Sequence, residues 1–125
     1  MIGNPNPGKI SGPEDLRQRT KHFALRVIKL FRALPKTEEA RVLGRQILRS
    51  GTSVAANYRS ACRARSRADF ISKTGAVVEE ADETAFWLEL FVAAGIVKSE
   101  RLEDLLAETN ELIRILGKSK RFVIG

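Results

Sequence analysis

Arg49, Arg59, Arg63, Arg65 and Arg67 fall within the stretch RSGTSVAANYRSACRARSRADF, residues 49–70, which contains one acid, Asp69. A guanidinium group presents a planar fork of donors that matches two oxygens of a phosphate or a carboxylate at once. Two chemistries follow from such a cluster: a grip on a nucleic-acid backbone, or ion pairs with carboxylates of a neighbouring helix or subunit. Arg41 and Arg45 extend the series upstream at spacings of four. On a helix turning about 100° per residue, Arg41, Arg45, Arg49, Arg59 and Arg63 lie about 100° to 180° from Tyr58, whereas Ile47, Gly51, Val54 and Cys62 lie within about 40° of it. The arginines therefore form a row on a flank separate from the apolar seam. Arg65 and Arg67 follow where the chain turns, and with Arg63 they have the fewest acids within reach along the next helix. These seven arginines are the candidate nucleic-acid contacts, and pairing with Glu79, Glu80, Asp82, Glu83 or Glu89 is the competing expectation.

Other chemistry finds little material. A di-iron site in a helical bundle needs several inward glutamates and Glu-x-x-His motifs, but the single histidine, His22, has no glutamate three residues before it. The one cysteine, Cys62, allows no internal disulfide and no cysteine-built zinc site; between Ala61 and Arg63 it reads as a small packing residue rather than a nucleophile. No Gly-rich phosphate loop, Gly-x-Ser-x-Gly elbow or paired-cysteine motif is present. No cofactor, no metal and no enzymatic activity are expected. Ser53 and Asn57, at the edge of the apolar seam, are expected to fix helix register by interhelical hydrogen bonds.

The elements that must carry these residues are helical throughout. Residues 1–12 (MIGNPNPGKISG) read as a flexible leader, because Gly and Pro dominate without periodicity. From Pro13, with Glu14 and Asp15 favouring a helix start, Leu16, Thr20, Phe23, Val27, Leu30 and Leu34 recur at spacings of three and four. Leu34-Pro35 breaks the run, and Thr37 can cap a second helix through Ile47, Gly51, Val54, Tyr58, Ala61 and Cys62. Gly44 and Gly51 each cost about 1 kcal/mol in a helix interior, which predicts a close approach of neighbouring backbone there. Ser66 three residues before Asp69 resembles a capping box, and opens a third helix predicted to run to Ala94, with Gly95 following. Its core face is Phe70, Thr74, Val77, Ala81, Leu88 and Val92. Ser99 is expected to cap a fourth, whose stripe of Leu102, Leu105, Leu106, Thr109, Leu112, Ile113 and Leu116 is ended by Gly117. An all-α, up-and-down antiparallel four-helix bundle over 13–118 follows, with 119–125 as a C-terminal tail.

Phe86 and Leu90, one turn apart on the third helix, point away from its core face, with Trp87 beside them. Large apolar residues grouped on an outward face call for a second buried surface, and another copy of the chain is its simplest supplier. Phe86, Trp87 and Leu90, with Glu79 and Glu83, are the candidate oligomer interface. Charge is segregated to match: residues 40–78 hold eight basic side chains and one acid, and residues 79–125 hold six and ten. No apolar run approaches the roughly 20 residues that span a bilayer, so a cytoplasmic protein with no membrane partner is expected.

The run LRSGTSVAANYRSACRARSRADFISKTGAVVEEADETAFWLEL resembles the four-helix-bundle proteins first noted as products of intervening sequences in bacterial 23S rRNA genes. The likeness rests on Arg49-Ser50, on Ser53-Val54-Ala55-Ala56-Asn57, on the arginine-rich element ending at Phe70, and on the acidic Trp87-Leu88-Glu89-Leu90 segment, within about residues 16–118. Tyr58 stands where many members carry Ile, and Arg59-Ser60-Ala61-Cys62 replaces their commoner Ala-Glu-Gly continuation. The resemblance implies a ring-like homopentamer without established enzymatic activity. It also implies a distant likeness to the accessory variability protein of diversity-generating retroelements, a basic pentameric barrel associated with a reverse transcriptase and nucleic acid. The expected function is a nucleic-acid-binding accessory or scaffold factor. The alternative is a protein-interaction module whose charged faces serve self-assembly and a client protein such as a reverse transcriptase.

Overall fold

Pro13 opens helix α1 (Pro13–Ala33), where its missing N–H leaves no donor unpaired. The computed structural model describes the backbone of residues 13–124 and the side chains of residues 15–118; the expected leader, 1–12, and the side chains of 119–125 lie outside the described residues. After the Leu34-Pro35 break, Thr37 takes an extended backbone and its hydroxyl accepts from the Ala40 N–H, starting α2 (Glu38–Ala61). Ser66 does the same for the Asp69 N–H at the start of α3 (Arg67–Ala93), and the Asp69 carboxylate reaches back to the Arg65 N–H. The Ser66 half is the cap anticipated from the spacing, and the Asp69 half reaches one residue beyond the Ser66 N–H that a capping box would use. Gly95, with φ of 72°, terminates α3 in a conformation that favours glycine. Helix α4 spans Ser99–Ile124, so Ser99 is its first residue rather than the preceding cap.

No strand occurs among the described residues, and each helix packs antiparallel against the next in an up-and-down four-helix bundle. Contact is extensive between α1 and α2, α2 and α3, and α3 and α4, and thin between α1 and α4. Phe23, Val27, Ile47, Val54, Val77, Leu88, Phe91 and Leu112 are fully buried, from all four helices. The α3 core is centred further along than its sequence pattern suggested. Thr84, Ala85 and Phe91 are buried, while Phe70 and Val92, expected in the core, are half-buried near the helix ends. No described helix is long and apolar enough to cross a membrane.

The glycines of α2 mark a close approach, but to side chains rather than to backbone. A Cβ on Gly51 would stand 2.8 Å from both methyls of Val27, and one on Gly44 would stand 2.8 Å from Leu34 Cδ1. These two positions let α1 press its seam directly onto the α2 backbone. Gly117 is different: nothing lies within 4 Å of its Cβ position, and α4 continues through it to Ile124 instead of ending there. A glycine costs a helix only about 1 kcal/mol, too little to stop one whose flanking residues are helix-compatible. Leu116 remains the last buried residue among those described.

Two glycine substitutions should therefore have opposite signs in urea denaturation. Gly51→Ala adds a methyl where Val27 already sits and should destabilise by about 1–3 kcal/mol despite the better helix propensity of alanine. Gly117→Ala meets nothing and should stabilise by up to about 1 kcal/mol.

Candidate nucleic-acid and oligomer interfaces

Register between α2 and α3 is set by a buried polar contact. The hydroxyls of Ser50 and Thr84 share a hydrogen bond of 2.8 Å, and Thr84 lies 2.8 Å from the Glu80 carbonyl as well. Both residues are fully buried, and each also lies against a carbonyl of its own helix, Ser50 against Ile47 and Thr84 against Glu80, so sliding either helix would lose the one hydrogen bond that crosses between them. Ser53 and Asn57, expected in this role, are half-buried and make no interhelical side-chain hydrogen bond to a described residue. The signal in the sequence was Ser50 itself, about 80° from Tyr58 on the α3 side of the seam.

That register brings one member of the arginine row to the acids of α3. Arg49 donates to Glu80 at 3.3 Å through one terminal nitrogen and to Glu83 through the other. The Trp87 indole N–H donates to the same Glu83 carboxylate at 3.0 Å, and the Phe86 and Trp87 rings meet edge to face at 5.0 Å. Arg49, Glu83, Trp87 and Phe86 thus form one connected surface group. Arg49 is the arginine of the row turned furthest toward α3, which is why it alone pairs there.

The other six candidates, Arg41, Arg45, Arg59, Arg63, Arg65 and Arg67, are exposed and make no ion pair with another described residue. Arg41 and Arg59 lean toward α1 rather than α3. Arg59 lines a groove of about 410 Å³ with Arg17 and Lys21 of α1 and a floor of Thr52, Ala55 and Ala56. Arg41 lies beside Arg32 and Lys36 in a second groove of about 440 Å³. Arg17, Lys21 and Arg32 of α1 and Lys36 of the connector carry no expectation from the sequence, although Arg17 and Lys21 repeat at the helical spacing of four. The basic surface is consequently wider than the α2 row.

Of the expected oligomer residues, Phe86 is the exposed one, at 51%. Trp87 packs partly against the core, Leu90 is half-buried, and Glu79 is exposed with no ion pair to a described residue. Glu83 is engaged within its own chain by Arg49. Val42, 48% exposed on α2, joins this face; the antiparallel register carries it to about the level of Leu90. Its position among arginines hid it in the sequence. Leu25, 55% exposed on α1, is a separate outward apolar residue.

Elsewhere ionisable groups serve packing. Arg19 and Glu108 form a two-pronged bridge of 2.7 and 2.8 Å, the main tie between α1 and α4, and its hydrogen bond raises the Arg19 pKa. Burial, with a contact to the Cys62 thiol, raises the Tyr58 phenol well above its ordinary value, keeping it neutral. Cys62 is half-buried against the core, and His22 is exposed.

The chain matches the model of the 23S rRNA-intervening sequence protein family over residues 14–118. It belongs to that family. A crystal structure of a protein of unknown function from the S23 ribosomal protein family of Bacteroides thetaiotaomicron superposes on it with a TM-score of 0.81 at 35% identity, covering 87% of this chain and 97% of that one. The fold is thus that of a solved relative, and the resemblance read from residues 49–90 is confirmed. Among curated proteins none matches.

Glu83→Gln removes the charge that holds Arg49 and accepts from Trp87. Because the pair is largely exposed, the stability loss should stay below about 1 kcal/mol, while the Trp87 emission spectrum shifts as its hydrogen-bond partner changes.

Proposed function

We propose that this member of the 23S rRNA-intervening sequence protein family is a non-enzymatic, cytoplasmic accessory or scaffold factor. It assembles as a homopentamer and binds nucleic acid through the arginines of α2 and the following connector. The observation that carries this reading is the partition of the row. Arg49 is held by Glu80 and Glu83, whereas Arg41, Arg45, Arg59, Arg63, Arg65 and Arg67 are exposed without an acidic partner among the described residues. Six such guanidinium groups, flanked by Arg32, Lys36 and Lys21, make a surface on which phosphate oxygens find charge-assisted donors. Repetition of that surface in an assembly multiplies individually weak contacts.

A second reading rests on the α3 face. Phe86, Leu90 and Val42 beside Glu79 offer an apolar and acidic surface to a basic neighbour, either another copy or a client protein. The two readings are compatible, because the acids lie on α3 and the arginines on α2 and its connector, with Val42 at the border between the two faces.

Fluorescence anisotropy with generic single-stranded RNA across a salt series tests the first reading. The logarithm of affinity should fall linearly with the logarithm of salt, with a slope approaching about −4 per protomer if six phosphates are neutralised. No binding at low salt overturns it. Sedimentation of the same sample should give a mass of five copies, and a clean monomer contradicts the assembly.

A further inference from the structure

The side of the bundle opposite the α2–α3 pair carries a second, differently built site. Between the C-terminal half of α1 and the start of α4 lies a crevice of about 770 Å³. Its floor is aliphatic: the half-buried Leu30, Ile96 and Val97 stand over the core residues Leu34, Leu102 and Leu105. Its rim carries Arg26, Lys29, Lys98 and Arg101, with Asp104 as the one acid. None of these five side chains makes an ion pair with a described residue.

The register of α1 against α4 makes this charge pattern informative. Arg19 faces Glu108, and that pair closes the two helices together. Stepping seven residues, about two turns, along both antiparallel helices toward the connectors places Arg26 opposite Arg101, and Lys29 of α1 with Lys98 of the α3–α4 connector lines the same crevice as a second rung of cations. Where an acid on one side would repeat the Arg19–Glu108 closure, both rungs instead oppose cation to cation. Like charges facing across an apolar floor repel and attract a counter-anion. The volume lies within the range of small-molecule sites.

We propose that this crevice binds a free, straight-chain aliphatic anion, its alkyl chain on the Leu30, Ile96 and Val97 floor and its carboxylate between the two cationic rungs. The floor has no aromatic ring on which a base would stack, which favours an alkyl body over a nucleotide. From Arg26 to Ala33 the α1 wall is roughly 10 Å long at 1.5 Å per residue, matching an extended chain of about nine carbons. The site lies on other helix faces than the arginine row, and the inference does not rest on nucleic-acid binding.

Calorimetric titration of the full chain with octanoate, decanoate and decyltrimethylammonium, all below micelle formation, tests it. Decanoate should saturate at one per protomer and bind more tightly than octanoate, by up to about fourfold for each added methylene buried. Decyltrimethylammonium should not saturate. Lys29→Glu/Lys98→Glu should weaken decanoate by about tenfold or more. Lys29→Gln/Lys98→Gln, a milder change to the same rung, should weaken it by a smaller factor with the helical circular dichroism unchanged. RNA binding should be the same in all variants. Equal affinity for the cationic and anionic amphiphiles, no saturation by decanoate, or undiminished decanoate binding in both folded variants overturns the proposal.

Discussion

The Arg49 guanidinium bridges Glu80 and Glu83, and that contact decides how the rest of the surface is divided. Arg49 reaches α3 because the Ser50–Thr84 hydrogen bond, one residue away and fully buried, fixes how the two helices align. Glu80 and Glu83 are engaged, Glu83 also accepting from Trp87, and the rest of the row, turned further from α3, pairs with none of its acids. Two arginines, Arg41 and Arg59, instead share grooves with cations of α1. A surface that could have been cancelled by the acidic third helix is left positive.

The same segregation gives each side of the bundle its character. Gly44 and Gly51 let α1 seat closely on α2, so two basic helices lie side by side. On the α3 face, Phe86 and Val42 remain exposed beside acids. On the remaining side α1 and α4 are tied by Arg19 and Glu108, and cations facing cations keep the crevice above that tie positive. Three faces with distinct chemistry thus come from one simple fold, in which core positions are set by period and outward positions set the charge and polarity of each face.

Most of the fold was legible because the helices announce themselves. The caps at Thr37 and Ser66, the break at Leu34-Pro35 and the left-handed Gly95 sit where their side-chain chemistry requires. What was misread depends on information that a period does not contain. The stripe and its spacing predict a stop at Gly117, yet a single half-buried glycine costs less than a helix gains by continuing. Ser50 and Thr84 make the register contact expected of Ser53 and Asn57, because a helical wheel gives direction but not the partner across the interface. The arginine row was visible at once. Which of its members reaches an acid depended on the alignment of α2 with α3, a tertiary fact. The crevice between α1 and α4 was invisible for the same reason: Arg26, Lys29, Lys98 and Arg101 become rungs only when two helices distant in sequence are laid together.

The arginines divide into one held and several available, and the salt dependence of RNA binding in two variants measures that division. Replacing Arg59, Arg63 and Arg65 together by Gln should flatten the salt slope by about 2 for a single strand, as three phosphate contacts are lost. Arg49→Gln, which removes a guanidinium already committed to Glu80 and Glu83, should leave the slope unchanged. An Arg49 variant that flattens the slope in proportion to one lost contact, or a triple variant that leaves it intact, would contradict the account.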